Sequence, residues 1–220
     1  MAKTIFFDSG YTLNYPKTGN WFITPQTKNI LGIDLLKIDK YVLNKTIQNI
    51  LNVLEFKIAN SIAEEISLFT LFYEKLLSEL GYSFILSQSI YEELAIDLVK
   101  STNKYIFYED TLKLIPYLSS KYILGIISNA WPSLRYIYSY NNLYKYFSVF
   151  LISSELGILK PDLKIFSRAV EYLPNHSKDI IYIDDKIENV NAAIQVGMQG
   201  NLLNRKKVTL THLLSELNML

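Results

Sequence analysis

The sequence predicts an α/β protein, a doubly wound parallel sheet carrying an inserted all-α segment, and three observations support that reading. Short apolar, β-prone runs recur at Ile5–Phe7, Tyr122–Ile127, Val149–Ile152 and Ile180–Ile183, the pattern of strands buried on both faces. Helix-period segments alternate with the later runs, which implies parallel pairing through right-handed crossovers. Between about Asp39 and Leu98, by contrast, several helical patterns occur and no convincing strand.

The first element is Thr4–Leu13, TIFFDSGYTL, in which an apolar run meets a carboxylate and then a turn. Asp8 at the strand end reads as a ligand-site acid, with Gly10 giving the backbone freedom that close approach to a ligand needs; a plain Asx turn is the alternative. Pro16, Gly19 and Pro25 break the next segment, so Asn14–Phe22 reads as a loop with Trp21 and Phe22 among polar residues. A helix from about Asp39 places Leu43, Ile47, Ile50, Leu51, Leu54 and Ile58 on one stripe. A capping box at Ser61 and Glu64 starts a second helix, with the stripe Ile66, Phe69, Tyr73, Leu77 and Leu80, ending at Gly81. Ser89 and Glu92 repeat that signal for a third helix carrying Ile90, Leu94 and Leu98.

Beyond Tyr105 helix and strand alternate. Asp110–Ser119 reads as a helix with Leu112, Ile115 and Leu118 inward and Pro116 as its candidate kink. The strand 122–127 ends at Ser128 and Asn129, and Pro132 suits the first turn of the following helix. After Val149–Ile152 come Gly157, the pair Lys160 and Pro161, and a helix over Asp162–Tyr172. Ile180–Ile183 ends in Asp184 and Asp185, before a helix from about Asn189 to Val196 closed by Gly197. The division expected is a core of residues 1–14 and 106–220, and a helical insertion of residues 15–105.

Composition excludes several function classes. Lys+Arg 22 against Asp+Glu 21 gives a net charge of +1 with no basic run, so a nucleic-acid partner is not expected. The absence of Cys removes disulfides, thiolate metal sites and a cysteine nucleophile, and fits the reducing cytoplasm, where the protein is expected to reside. His176 and His212 lie far apart in polar surroundings and do not suggest zinc. Asp8 interrupts the first apolar run too early for a signal peptide, and no stretch is long enough to span a membrane.

The polar residues that follow buried strands are the informative ones. Asp8, Ser128 and the pair Asp184 and Asp185 fall on one rim of the sheet, with the Lys160 loop as a fourth contributor. Taken singly, Ser128 or Asn129 reads as a helix cap, Lys160 as a solvated lysine, and the acids as N-terminal helix decoration. Together they read as a site, since adjacent carboxylates repel and a divalent cation is the usual reason to hold them together.

The ordered set FFDSGYTL, GIISNA, LKPD and YIDDKIENVNAAIQVGM resembles the haloacid dehalogenase-like (HAD) hydrolase superfamily, in members with a small helical cap. The resemblance implies a Rossmann-like core under that cap, and a Mg²⁺-dependent phosphatase acting on a small phosphorylated molecule. Asp8 would be the nucleophile that forms an aspartyl-phosphate. Asp8, the Gly10 carbonyl and Asp185 would hold Mg²⁺, with Asp184 as a further ligand or supporting partner. Ser128, the Asn129 N–H and Thr12, which matches the same motif, would bind the phosphoryl group, and Lys160 would neutralise its charge. The resemblance further implies that the Asn14–Phe22 stretch, including Trp21, contacts substrate; packing between cap and core is the alternative for Trp21. One departure stands out: the acid–base Asp usual two residues after the nucleophile is Gly10, and Tyr11 stands where Gly is frequent. A catalytically silent binding protein and a 2-haloacid dehalogenase are the alternative functions. The expected assembly is a monomer or weak homodimer.

Overall fold

The computed structural model describes residues 3–54, 58–82, 87–173 and 179–220. The first apolar run forms β1 (Thr4–Phe7), with every residue buried. A turn leads to β2 (Asn14–Pro16), then α1 (Thr27–Leu31), ended by Gly32 at φ 68°, and a 3-10 turn at Leu35–Lys37. Three longer helices follow, α2 (Lys40–Leu54), α3 (Ile62–Glu79) and α4 (Gln88–Lys100). The chain returns through β3 (Tyr105–Phe107), antiparallel to β2. The remainder alternates: α5 (Glu109–Ser119), β4 (Ile123–Ser128), α6 (Ser133–Tyr140), β5 (Val149–Ile152), α7 (Ser153–Leu156), α8 (Leu163–Glu171), β6 (Ile180–Asp184), α9 (Ile187–Gln195), β7 (Gln199–Leu202) and α10 (Leu210–Glu216).

The parallel sheet has the order β5-β4-β1-β6-β7, so β1 is central, between β4 and β6. Period-2 alternation sorts its side chains into two layers. Ile5, Phe7, Leu124, Ile126, Ile152, Ile181 and Ile183 share one apolar cluster with residues of α5, α6 and α10. Phe6, Ile127, Val149, Leu151, Ile180 and Tyr182 share the other with residues of α8 and α9. The stripes of α2, α3 and α4 bury a third cluster, around Leu51, Phe72, Tyr73, Leu76 and Leu94. The connections run from β1 to β4 and β5 on one side and then to β6 and β7 on the other, which opens the ligand crevice at the carboxyl end of β1.

Gly125 of β4 is dictated by packing. A Cβ there would lie 2.3 Å from the Phe6 ring, which crosses the strand at that point. Gly125→Ala is expected to cost about 1–3 kcal/mol through overpacking, measured by denaturant unfolding.

Some sequence expectations need correction. The fifth strand, β7, has no apolar run because its residues are largely exposed, and β2 and β3 pair where a loop was expected. Leu112 is 45% exposed, with Thr111 buried in its stead, because the buried stripe of α5 runs through Thr111, Ile115 and Leu118 at i, i+4 and i+7. Ile58 is 56% exposed and lies beyond α2. The Ser61 cap is present, its Oγ accepting from Glu64 N, while Glu64 accepts from Asn60 N rather than from Ser61. The third long helix starts behind Ser87, not Ser89, and those two hydroxyls bond one another instead. The assigned helix α5 continues through Pro116. His176 lies outside the described residues, and among these no helix is long and apolar enough to cross a membrane.

Candidate active site

Asp8 follows β1 directly, and its backbone N–H donates to Ile183 O of the neighbouring strand. The turn behind it is closed by Leu13 N and Asn14 N, both donating to Ser9 O. A buried cluster secures it: the Asn14 amide donates to Ser9 Oγ at 2.7 Å, and Ser9 and Tyr138 hydroxyls bond at 2.9 Å. Tyr11, not Gly10, takes the left-handed conformation, at φ 55°. The freedom expected of Gly10 is therefore spatial: a Cβ there would sit 3.1 Å from Trp21 Cζ2.

Lys160 reaches the crevice from the loop before α8 and is buried. Its ammonium donates to Asp8 Oδ1 at 2.6 Å, Asp184 Oδ2 at 2.8 Å and the Tyr182 hydroxyl at 2.9 Å. Three donor protons meet three acceptors, so the side chain is fixed. Asn129 fixes its backbone: the amide donates to Lys160 O at 3.0 Å and accepts from Lys160 N at 2.8 Å.

Asp184, at the end of β6, is fully buried. Oδ2 also accepts from the Tyr182 hydroxyl and from Asn189 Nδ2, while Oδ1 accepts from Lys186 N. Next to it, Asp185 accepts no hydrogen bond among the described residues and lines the cavity. Carboxylate oxygens of Asp8, Asp184 and Asp185 lie within 4.8 Å of one another.

Three carboxylates against one buried ammonium leave two negative charges in excess. Burial, with Asp184 nearby, pushes Asp8 from an ordinary 3.8 up to about 6, although Lys160 opposes this. Burial together with the Asp8 and Asp184 charges pushes Asp185 to about 7. For Lys160 burial pulls downward, but the two carboxylates outweigh it and hold the ammonium charged.

The crevice opens into a cavity of about 520 Å³. Asp8, Gly10, Ser128, Asn129, Lys160 and Asp185 line one part, and Trp21, Phe22, Phe69, Leu98 and Trp131 another. The structure thus gathers the expected site residues, with one exception. Thr12 is fully buried and not among the lining residues; its carbonyl instead accepts from Arg205 Nε at 2.8 Å, tying the turn to the core.

A family model described as haloacid dehalogenase-like hydrolase matches residues 39–201. The chain belongs to this family. The hydrolase is similar along its whole length to solved structures of the same fold. A Bacillus subtilis HAD-hydrolase, YfnB, bound to magnesium, is 18% identical with a TM-score of 0.74, over 99% of each chain. A 2-haloacid dehalogenase from Pseudomonas syringae is 20% identical with a TM-score of 0.63, over 95% of this chain and 89% of that one. A HAD family enzyme from Bacteroides thetaiotaomicron, in complex with magnesium and inorganic phosphate, is 17% identical with a TM-score of 0.58, over 97% and 99%. Among named relatives, haloacid dehalogenase-like hydrolase domain-containing protein 3 of Danio rerio is 32% identical over 90 residues, 40% of this chain and 37% of the relative. A sesquiterpene phosphatase of Aspergillus oryzae is 41% identical over 44 residues, 20% of this chain and 22% of the relative. The aligned segments span well under two thirds of either relative.

Other members of the hydrolase's site escaped the sequence reading. Tyr182 precedes Asp184 by two residues and so shares its face of the strand, a signal that period 2 makes available. Glu65 falls on the buried stripe of α3 with Leu68, Phe69 and Phe72, and accepts from Ser133 N at 2.7 Å and Ser133 Oγ at 2.6 Å. Lys104, buried beside it, donates to Leu98 O and weakly to Ser133 Oγ at 3.4 Å; burial lowers it to about 8 despite the Glu65 and Asp97 charges.

The charge excess makes the hydrolase's stability depend on pH. Unfolding returns Asp8 and Asp185 to ordinary values near 3.8, so the unfolded chain releases their protons first as pH rises. Metal-free protein is therefore expected to lose stability progressively from about pH 4 to pH 7 through these groups and to level off above. A cation that binds the ionised carboxylates reverses that loss. Melting temperatures across this range, with chelator and with Mg²⁺, check both signs.

Proposed function

We propose that the protein is a Mg²⁺-dependent phosphatase acting on a small phosphorylated molecule through Asp8. The observation that carries this reading is the convergence of the Asp8, Asp184 and Asp185 carboxylates around a single buried ammonium. The donor set fits the ion: hard carboxylate oxygens suit Mg²⁺, a divalent charge offsets the two in excess, and Asp185 accepts no hydrogen bond among the described residues. Mg²⁺ would be held by Asp8, the Gly10 carbonyl and Asp185, with Asp184 as a further ligand or as the group that orders them; bound there it would offset phosphoryl charge.

In this reading one Asp8 oxygen attacks phosphorus and the ester P–O bond breaks, giving an aspartyl-phosphate that water hydrolyses. The Ser128 hydroxyl and Asn129 N–H bind the phosphoryl oxygens, and Lys160 neutralises both them and Asp8. The Aspergillus oryzae relative named as a sesquiterpene phosphatase, and the magnesium and phosphate held by the Bacteroides thetaiotaomicron neighbour, support the same chemistry.

Gly10 supports a second reading, a protein that binds a phosphorylated ligand with Mg²⁺ and does not hydrolyse it, because no acid follows the nucleophile at that spacing. The deciding experiment measures phosphate release from a panel of small esters, with Mg²⁺ and with chelator. Mg²⁺-dependent release supports the phosphatase. No release, with Mg²⁺-dependent binding of a phosphate mimic intact, moves the reading to a binding protein, and halide release from 2-haloacids would move it to a dehalogenase.

A further inference from the structure

Trp21 fills the space into which a side chain at position 10 would extend. A Cβ on Gly10 would meet Trp21 Cζ2 at 3.1 Å and Cη2 at 3.3 Å. The indole is held edge-on by Tyr11 and Tyr105, with ring centroids 5.1 and 5.0 Å away, so it stands beside the reacting end of the cavity as a fixed wall. Trp131, packed on Phe69 at 5.0 Å, continues the aromatic lining.

Among the described residues, the acids lining the cavity are Asp8, Asp185 and Glu65. The proposed chemistry commits Asp8 and Asp185 to phosphorus and cation, and both Glu65 oxygens already accept from Ser133. The Lys104 ammonium beside Glu65 donates to Leu98 O and to Ser133 Oγ. No carboxyl remains to hand a proton to the departing oxygen.

We propose, resting on the phosphatase reading, that the substrate is a phosphate ester of a flat conjugated alcohol, an aryl or similarly stabilised oxyanion, lying against Trp21. In the first step an Asp8 oxygen bonds to phosphorus, and the P–O bond to the leaving group breaks. Its electron pair departs on that oxygen, delocalised into the conjugated system. In the second step water bonds to phosphorus, the P–O bond to Asp8 breaks, and both hydrogens of the water leave on dihydrogen phosphate. Neither step requires a protein acid, and the flat wall recognises the group that makes the first one feasible.

The test compares kcat/KM for 4-nitrophenyl, phenyl and ethyl phosphate with Mg²⁺, and repeats phenyl phosphate and inhibition by inorganic phosphate in Trp21→Ala. The expected fall from nitrophenyl to ethyl is about 10²- to 10⁴-fold, the amount a positioned acid would otherwise supply. Trp21→Ala is expected to raise KM for phenyl phosphate about tenfold and leave phosphate inhibition unchanged, a split that general loosening of the fold would not produce. Ethyl phosphate turned over as fast as the aryl esters would overturn this proposal and leave the phosphatase standing. Equal shifts of KM and phosphate inhibition in Trp21→Ala would overturn it too. No release from any ester would overturn the phosphatase reading and this proposal with it.

Discussion

Replacing Lys160 by methionine is expected to cost about 3–5 kcal/mol of folding stability at pH 7, because it leaves buried carboxylates without their counter-charge. The ammonium is the group that donates to Asp8 and to Asp184, and both it and Asp184 are buried from water. The stem of methionine fills most of the same space, so a cavity contributes little to the loss. The carboxyls can respond by taking up protons, so the cost should shrink as pH falls below about 6, where Asp8 protonates even with Lys160 present. Urea unfolding of both proteins at pH 7 and pH 5, without metal, makes the comparison. A loss below about 1 kcal/mol at pH 7, the range of an exposed pair, would show that Lys160 does not balance this charge.

The second large effect separates activity from stability. Asp8→Asn is expected to reduce ester hydrolysis by about 10⁴-fold or more, the order of loss when a nucleophile is removed. In the same variant the metal-free fold is expected to become more stable at pH 7, because one of the crowded negative charges is gone while Lys160 keeps Asp184 as its partner. Kinetics and thermal unfolding in chelator measure the two halves. A variant that hydrolyses as well as its parent would remove Asp8 from the mechanism, and one that unfolds earlier would refute the account of charge crowding.

The polar strand ends were legible in the sequence because burial within the sheet and placement on its rim make opposite demands on residue type. Four apolar runs announced β1, β4, β5 and β6, and the polar residues just after three of them, with Lys160, meet in the structure. β7 was not legible: QGNL carries no apolar run, and its placement beside β6 comes from the tertiary fold. The pairing of β2 with β3 joins residues far apart in sequence, so no local pattern could reveal it. The pinning of the Lys160 backbone by the Asn129 side chain is a contact between two loops, so no local pattern could reveal it. Thr12 was placed at the phosphate by motif alone, and the turn that closes on Ser9 buries it. The closeness of Trp21 to Gly10 was invisible for the same reason, as a glycine records the absence of a side chain and not what occupies the vacated space.

The central position of β1 also bears on the order in which the molecule assembles. Thr4 aligns with Ile123 on one side and Ile180 on the other, so the strand bearing Asp8 cannot complete its hydrogen bonds until distant segments have been made and brought back. The helices α2, α3 and α4, by contrast, pack on one another through residues close in sequence. During synthesis the apolar stretch Ile5–Phe7 thus stays without its partner strands until residues 123–126 and 180–183 have emerged, an interval in which an unpaired strand is open to wrong pairing.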